Sequence, residues 1–147
     1  LGCGAGFPGL PLAIVRPADR FLLVEARQKK VLFVRQVIDR LQLRNVASIH
    51  LHLRRGNGRN ELGSPVAVMV TRALSLAGEV LPAAAGMLAA GGRLLLSATA
   101  GNREVFHRQL AASGFLRLVR EQEVEIPFLG QRRYLLLAEK IGKQEDG

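Results

Sequence analysis

The residue types that could do chemistry in this chain are gathered in its first nine positions and in one carboxylate further along. The chain opens Leu1-Gly2-Cys3-Gly4-Ala5-Gly6-Phe7-Pro8-Gly9, with glycine at every second position from Gly2 to Gly6 and again at Gly9. Glycines so spaced let the backbone turn tightly and let a ligand approach it with no Cβ atoms in the way. A helix starting straight afterwards would point free N–H groups at an anion, for instance a carboxylate. Glu25 closes the apolar run Phe21-Leu22-Leu23-Val24. An acidic side chain at a strand end beside such a turn can accept both hydroxyl hydrogens of an adenosine ribose. Gly4, Gly6 and Gly9 also satisfy G-x-G-x-x-G, so a dinucleotide suits these features as well as any other adenosine-bearing cofactor.

Other reactive residue types offer less. Cys3 sits inside the glycine turn and reads as a small buried filler rather than a nucleophile. His50 and His52 alternate on one strand and share a face, but without a third ligand they make no metal site. His107 reads as a helix-surface residue. Arg72 follows the end of a buried run, where by itself it reads as an ordinary surface cation. Arg27, Lys29, Lys30, Arg54, Arg55 and Arg59 form a basic set suited to drawing in a polyanion such as a nucleic acid.

Apolar spacing indicates the elements that must position these groups. Residues 10–15 read as a short helix that stops before Pro17, and 21–25 as a strand. Val31, Val34, Val37, Ile38 and Leu41 follow helical spacing over 28–41, with Lys29, Lys30, Arg35 and Arg40 on the other face. Residues 47–53 make the next strand and 54–64 a polar loop marked by Gly56, Gly58 and Gly63. A buried strand over 66–70 precedes a helix over 76–90, with Pro82 near its start, which Gly91-Gly92 breaks. Residues 93–97 return as a strand. Asn102 is the expected N-cap of a helix that Gly114 ends. Residues 115–125 and 132–140, separated by a short gap, suit an antiparallel pair.

The alternation predicts one α/β domain over 1–147, built on a mostly parallel, twisted sheet, with a loose tail over 142–147. In such folds the glycine turn follows the first, central strand. The sequence begins on the turn, so that strand is expected to be missing or reduced to a stub, and the chain to be truncated at its N-terminus.

Charge and composition narrow the partners. Twenty-one Lys and Arg against twelve Asp and Glu give a formal net charge of +9 over 147 residues. A field of that sign attracts polyanions, because each neutralised phosphate releases condensed counterions. Seven aromatic residues, none of them Trp, argue against a broad base-stacking platform. No apolar stretch is long enough for a membrane helix. One cysteine makes no internal disulfide, so a reducing, cytoplasmic setting is expected, with no metal.

The segments G-A-G-F-P-G-L-P-L-A-I-V-R-P (from Gly4), E-A-R-Q-K-K-V-L-F-V-R-Q-V (from Glu25), L-x-L-x-N-V (from Leu41) and V-T-R-A (from Val70) together resemble the RsmG (GidB) family of rRNA methyltransferases. The likeness is continuous from Leu1 to about Val46, resumes from Val68 to Ala73, and weakens through the final strands. The resemblance implies a Rossmann-like class I methyltransferase fold with a C-terminal antiparallel strand pair. It also implies S-adenosyl-L-methionine as cofactor and methyl transfer to N7 of a guanine in 16S ribosomal RNA, naked or within the small ribosomal subunit.

Carried over by position, Gly2, Gly4, Gly6 and Phe7 line the cofactor, Glu25 holds its ribose, and Leu53 and Arg54 fall where the family contacts adenine. Arg72 matches the family arginine beside the cofactor and target base. Three residues depart from the family pattern: Arg54 where an acidic residue is usual, Ala67 for an Asp, and Ala98 for a Lys. Guanine N7 carries an in-plane lone pair, so the reaction needs placement rather than a general base. Two alternatives stand beside this reading. One is a nicotinamide-dependent oxidoreductase; the other is a non-catalytic RNA-binding relative.

Overall fold

The structure, a computed structural model, describes residues 1–53, 62–72 and 80–142. They belong to two compact units, Leu1–His52 and Leu53–Gly147.

The first unit is a two-stranded parallel sheet with two helices. α1 (Gly9–Val15) and α2 (Gln28–Arg40) bracket β1 (Phe21–Glu25), and β2 (Val46–His50) follows. The apolar spacing along α2 puts Val31, Val34 and Ile38 on its buried side, while Lys29, Lys30, Leu32 and Phe33 stay exposed. Val34 and Ile38 pack with Cys3, Leu10 and Leu23 into one core. β1 and β2 pair in register from Phe21 opposite Val46 to Glu25 opposite His50.

Asn45, the asparagine of the L-x-L-x-N-V segment, ties the lower end of this unit together. Its side-chain amide donates to the carbonyls of Ala13 (3.0 Å), Arg16 (3.2 Å) and Asp19 (3.1 Å), satisfying backbone groups where α1 gives way to β1.

The second unit is a four-stranded sheet in the order β3-β4-β6-β5. β3 (Val66–Arg72) and β4 (Leu88–Ala98) are parallel; β6 (Gln131–Lys140) is antiparallel to both β4 and β5 (Leu116–Ile126). Three of its four strands therefore run the same way, and the antiparallel C-terminal pair is present as expected. α3 (Val80–Met87) and α4 (Ala100–Ser113) pack on this sheet. Phe106 and Leu110 of α4 are buried, as are Met69, Leu94, Leu96, Leu136 and Ala138 on the strands. Alternation along the strands puts those five side chains on a single sheet face.

The structure corrects the sequence reading at four places. The one expected sheet is two among the described residues. Alternation turns the Val24 carbonyl to the edge of β1 away from β2, and there it accepts the Cys3 N–H at 3.2 Å.

The helix expected to reach residue 90 ends at Met87, and Leu88 already pairs with Val66. Pairing then skips to Val68 opposite Arg93, so Gly91-Gly92 lies within a bulge of one long strand. A Cβ on Gly92 would lie 2.8 Å from the Ala89 carbonyl oxygen. The strand expected over 47–53 stops at His50.

Thr99, not Asn102, is the N-cap of α4. Asn102 occupies the third helical position, where its Oδ1 accepts the Thr99 N–H at 2.6 Å.

Removing the Asn45 amide tests the packing account of the first unit. Asn45→Ala takes away the amide that the Ala13, Arg16 and Asp19 carbonyls share, although the Arg16 carbonyl keeps the Asp19 N–H at 3.1 Å, and should lower stability by about 1 kcal/mol, read as an earlier urea midpoint with an unchanged slope.

Candidate cofactor site

The site is built where β1 meets the glycine turn. Strand alternation brings Glu25 to the end of β1, where it is 7% exposed. A buried carboxylate needs donors. The Gly4 N–H supplies one to Oε2 at 2.8 Å, and the Arg27 N–H one to Oε1 at 3.0 Å. Burial alone would raise the Glu25 pKa; the N–H groups of Gly4 and Arg27 and the charge of Lys30 outweigh it and hold the carboxyl below its ordinary value. The side chain is therefore a carboxylate at neutral pH. Each oxygen has accepted one hydrogen and keeps capacity for another.

The glycines of the turn divide into two kinds. Gly6 has φ +96°, and a Cβ there would lie 2.2 Å from Leu10 Cδ1. A Cβ on Gly9 would lie 2.1 Å from Leu23 Cδ2. Leu10 and Leu23 are buried, so these two glycines serve the packing of α1 on β1. Gly4 differs: φ is +58°, yet nothing lies within 4 Å of where its Cβ would be. The space over Gly4, beside Glu25, is open. Gly2 (φ +60°) and Phe7 are exposed at the two ends of the turn.

These features fit an adenosine: an open approach over bare backbone, next to a charged acceptor with lone pairs to spare. The expected contribution from the helix is weaker than the sequence suggested. α1 has only seven residues, Pro11 in its first turn has no N–H, and the Leu10 N–H already donates to the Gly6 carbonyl at 2.7 Å.

The other candidates are placed as follows. Arg27, Lys29 and Lys30 are exposed at the start of α2, directly after Glu25. Leu53 is half-buried, beyond the end of β2. Arg72 ends β3 opposite Ser97 and is exposed. Arg54, Arg55 and Arg59 lie outside the described residues.

Ala98 is 1% exposed, so at this position the strand turns its side chain inward. Cys3 is buried in the core, and burial, with the charge of Glu25, raises its thiol pKa, which suits a filler. The His50 Nε2–H donates to the Ala26 carbonyl at 2.8 Å, and among the described residues no three His, Cys, Asp or Glu side chains gather as metal ligands.

Two arrangements went unread in the sequence. The Gly4 and Arg27 clamp on Glu25 is made by main chain, which leaves no residue-type signal. His107, expected on the surface, is half-buried, with Nε2 2.7 Å from Glu121 Oε2. The other oxygen of Glu121 takes Arg103, whose guanidinium lies 4.9 Å from the centroid of the Tyr134 ring. Arg103 and His107, four apart on a helix, were the available signal.

The clamp carries a pH signature. A folded-state pKa below the unfolded one means a contribution that is full above the unfolded value and is lost as pH falls through the folded value. Glu25→Gln, which cannot accept both N–H groups, should cost about 2 kcal/mol at neutral pH. Its loss should fade as pH falls below the ordinary carboxylate range and through the lowered folded-state value; urea titrations at several pH values measure this.

Comparison with known proteins sets this site in a family. The family model for rRNA small subunit methyltransferase G (GidB) matches residues 1–131. A ribosomal RNA small subunit methyltransferase G from Pelotomaculum thermopropionicum is 36% identical over 97% of this chain, and one from Myxococcus xanthus is 33% identical over 95%. The matches cover 61% and 64% of those proteins, so the chain spans about three fifths of their length.

Among solved structures, TrmN from Thermus thermophilus superposes with a TM-score of 0.74 at 18% identity, covering 94% of this chain and 42% of that one. A SAM dependent methyltransferase from Aquifex aeolicus gives 0.73 at 17%, covering 95% and 79%. The fold is that of the class I methyltransferases. By the extent of the sequence match, this chain belongs to the rRNA small subunit methyltransferase G family.

Proposed function

We propose that the chain binds S-adenosyl-L-methionine over its glycine turn and transfers the methyl group to N7 of a guanine in small-subunit (16S) ribosomal RNA. The observation that carries this reading is the Glu25 carboxylate, charged and fixed by the Gly4 and Arg27 N–H groups, beside the open backbone at Gly4. Glu25 would accept the ribose hydroxyls, and Gly2, Gly4 and Phe7 would line the cofactor. By the family resemblance, Leu53 and Arg54 would contact the adenine. When bound, the sulfonium supplies an electrophilic methyl and an uncharged leaving group.

The protein's own task is placement. Guanine N7 presents its lone pair in the plane of the ring and carries no proton, so no general base is needed. Alignment of donor and acceptor can lower the barrier by several kcal/mol. Arg72 suits a phosphate or the N7/O6 edge of the guanine. The net charge of +9, with Arg27, Lys29 and Lys30 exposed at the start of α2, would draw in the RNA, joined by Arg54, Arg55 and Arg59. The substrate is read as the RNA or the small ribosomal subunit that contains it, in the cytoplasm, with both units serving one methyltransferase domain.

Calorimetry tests the cofactor. S-adenosyl-L-methionine should bind and NAD should not; tight binding of NAD alone would overturn the assignment in favour of an oxidoreductase. Gly4→Ala should cost only about 1 kcal/mol of stability, from its left-handed backbone, yet weaken cofactor binding tenfold or more by filling the approach. Gly6→Ala should instead lose roughly 2–4 kcal/mol of stability. Incubation with unmodified small-subunit RNA and labelled cofactor should yield 7-methylguanine. Cofactor binding with no turnover on RNA or subunit would favour the non-catalytic alternative.

A further inference from the structure

The β5–β6 turn displays side chains that the fold does not use. Phe128 is fully exposed and Leu129 is 64% exposed. Phe128 also has φ +68°, a conformation that strains a bulky residue, so a smaller one would suit the turn better. Strand directions locate the turn: β3, β4 and β5 run the same way, so it stands at the edge where β3 ends in Arg72 and β4 in Ala98. β6 pairs with β4 only from Tyr134 onward, whereas Gln131, Arg132 and Arg133 pair with β5 alone. At about 3.4 Å per residue the hairpin overhangs that edge by roughly 10 Å. In open α/β sheets this is the edge at which substrates bind.

Register gives the faces. Arg72 opposes Ser97, which opposes Leu135, and Arg133 is two residues from Leu135, so Arg72 and Arg133 share one sheet face. Arg132 faces the other way and meets Glu123 at 3.2 Å.

We propose that Phe128 is an RNA contact. It stacks on a nucleobase of the bound strand, while Arg133 and Arg72, on one face of the same sheet edge, meet phosphates of that strand. This rests on the RNA substrate of the reading above. One ring and one leucine offer far less than the roughly 1,000 Å² a stable protein interface buries, but they match the face of a single base. Glu123 and Glu125 offset Arg132 and Arg133 at the tip, so the turn lacks the cationic excess that would hold an anionic lipid surface. A single projecting ring also reconciles RNA binding with the scarcity of aromatic residues.

The chain contains no Trp, so Phe128→Trp supplies a single indole reporter, excited selectively beyond the absorption of Tyr134. Unmodified small-subunit RNA should quench its emission with the same concentration dependence as filter retention. Phe128→Ala should weaken RNA binding about tenfold, Phe128→Trp should retain it, and calorimetry should find S-adenosyl-L-methionine binding unchanged in both. Emission that stays constant while RNA is retained would overturn the proposal and leave the methyltransferase reading intact. So would a shift produced by protein concentration alone, or by phosphatidylglycerol vesicles but not RNA. A wild-type chain that retains no RNA would overturn both.

Discussion

The site depends on where one buried carboxylate finds its hydrogen bonds. Glu25 lies at the end of β1, too enclosed for water to solvate it fully, and is held by the main-chain N–H groups of Gly4 and Arg27. Those two donors belong to the segments on either side of it: the glycine turn, and the entry to α2. The contact therefore fixes the turn, the strand end and the helix start together. It also keeps the carboxylate charged at neutral pH and orients its remaining lone pairs, so a ligand with two adjacent hydroxyls meets an acceptor whose ordering is already done.

The glycines around it follow the same logic. Gly6 and Gly9 let α1 lie close on β1, which brings the turn down to Glu25; Gly4 then leaves the ground above the turn bare. Two members of the motif thus serve packing and one stays bare, although by residue type they are alike.

Periodic and charge-bearing features were legible in the sequence. The helical spacing of Val31, Val34 and Ile38 fixed α2, the run ending in Glu25 fixed β1, and the gap before Gln131 indicated the antiparallel pair. Less legible was whatever depends on main-chain partners. Gly91-Gly92 reads as a helix stop, but a glycine pair signals only that Cβ atoms are unwelcome, and a bulge against β3 demands the same. Asn102 is as good an N-cap by type as Thr99; only the backbone angles decide between a cap and the third helical position. The division into two sheets has the same origin, because a strand edge is recognised by who bonds to it, not by its own residues. Of the site, the carboxylate and the glycines were readable, whereas the N–H clamp was not.

The central claim is that Glu25 and the bare backbone at Gly4 together receive an adenosyl cofactor. A crystal structure of the chain soaked with S-adenosyl-L-methionine tests it most directly. The account predicts ribose hydroxyls within hydrogen-bond distance of both Glu25 oxygens, with the ligand passing over Gly4 and the Gly4 and Arg27 N–H bonds retained. Density for the ligand away from this turn, or a Glu25 side chain that makes no contact with the ribose, would contradict it.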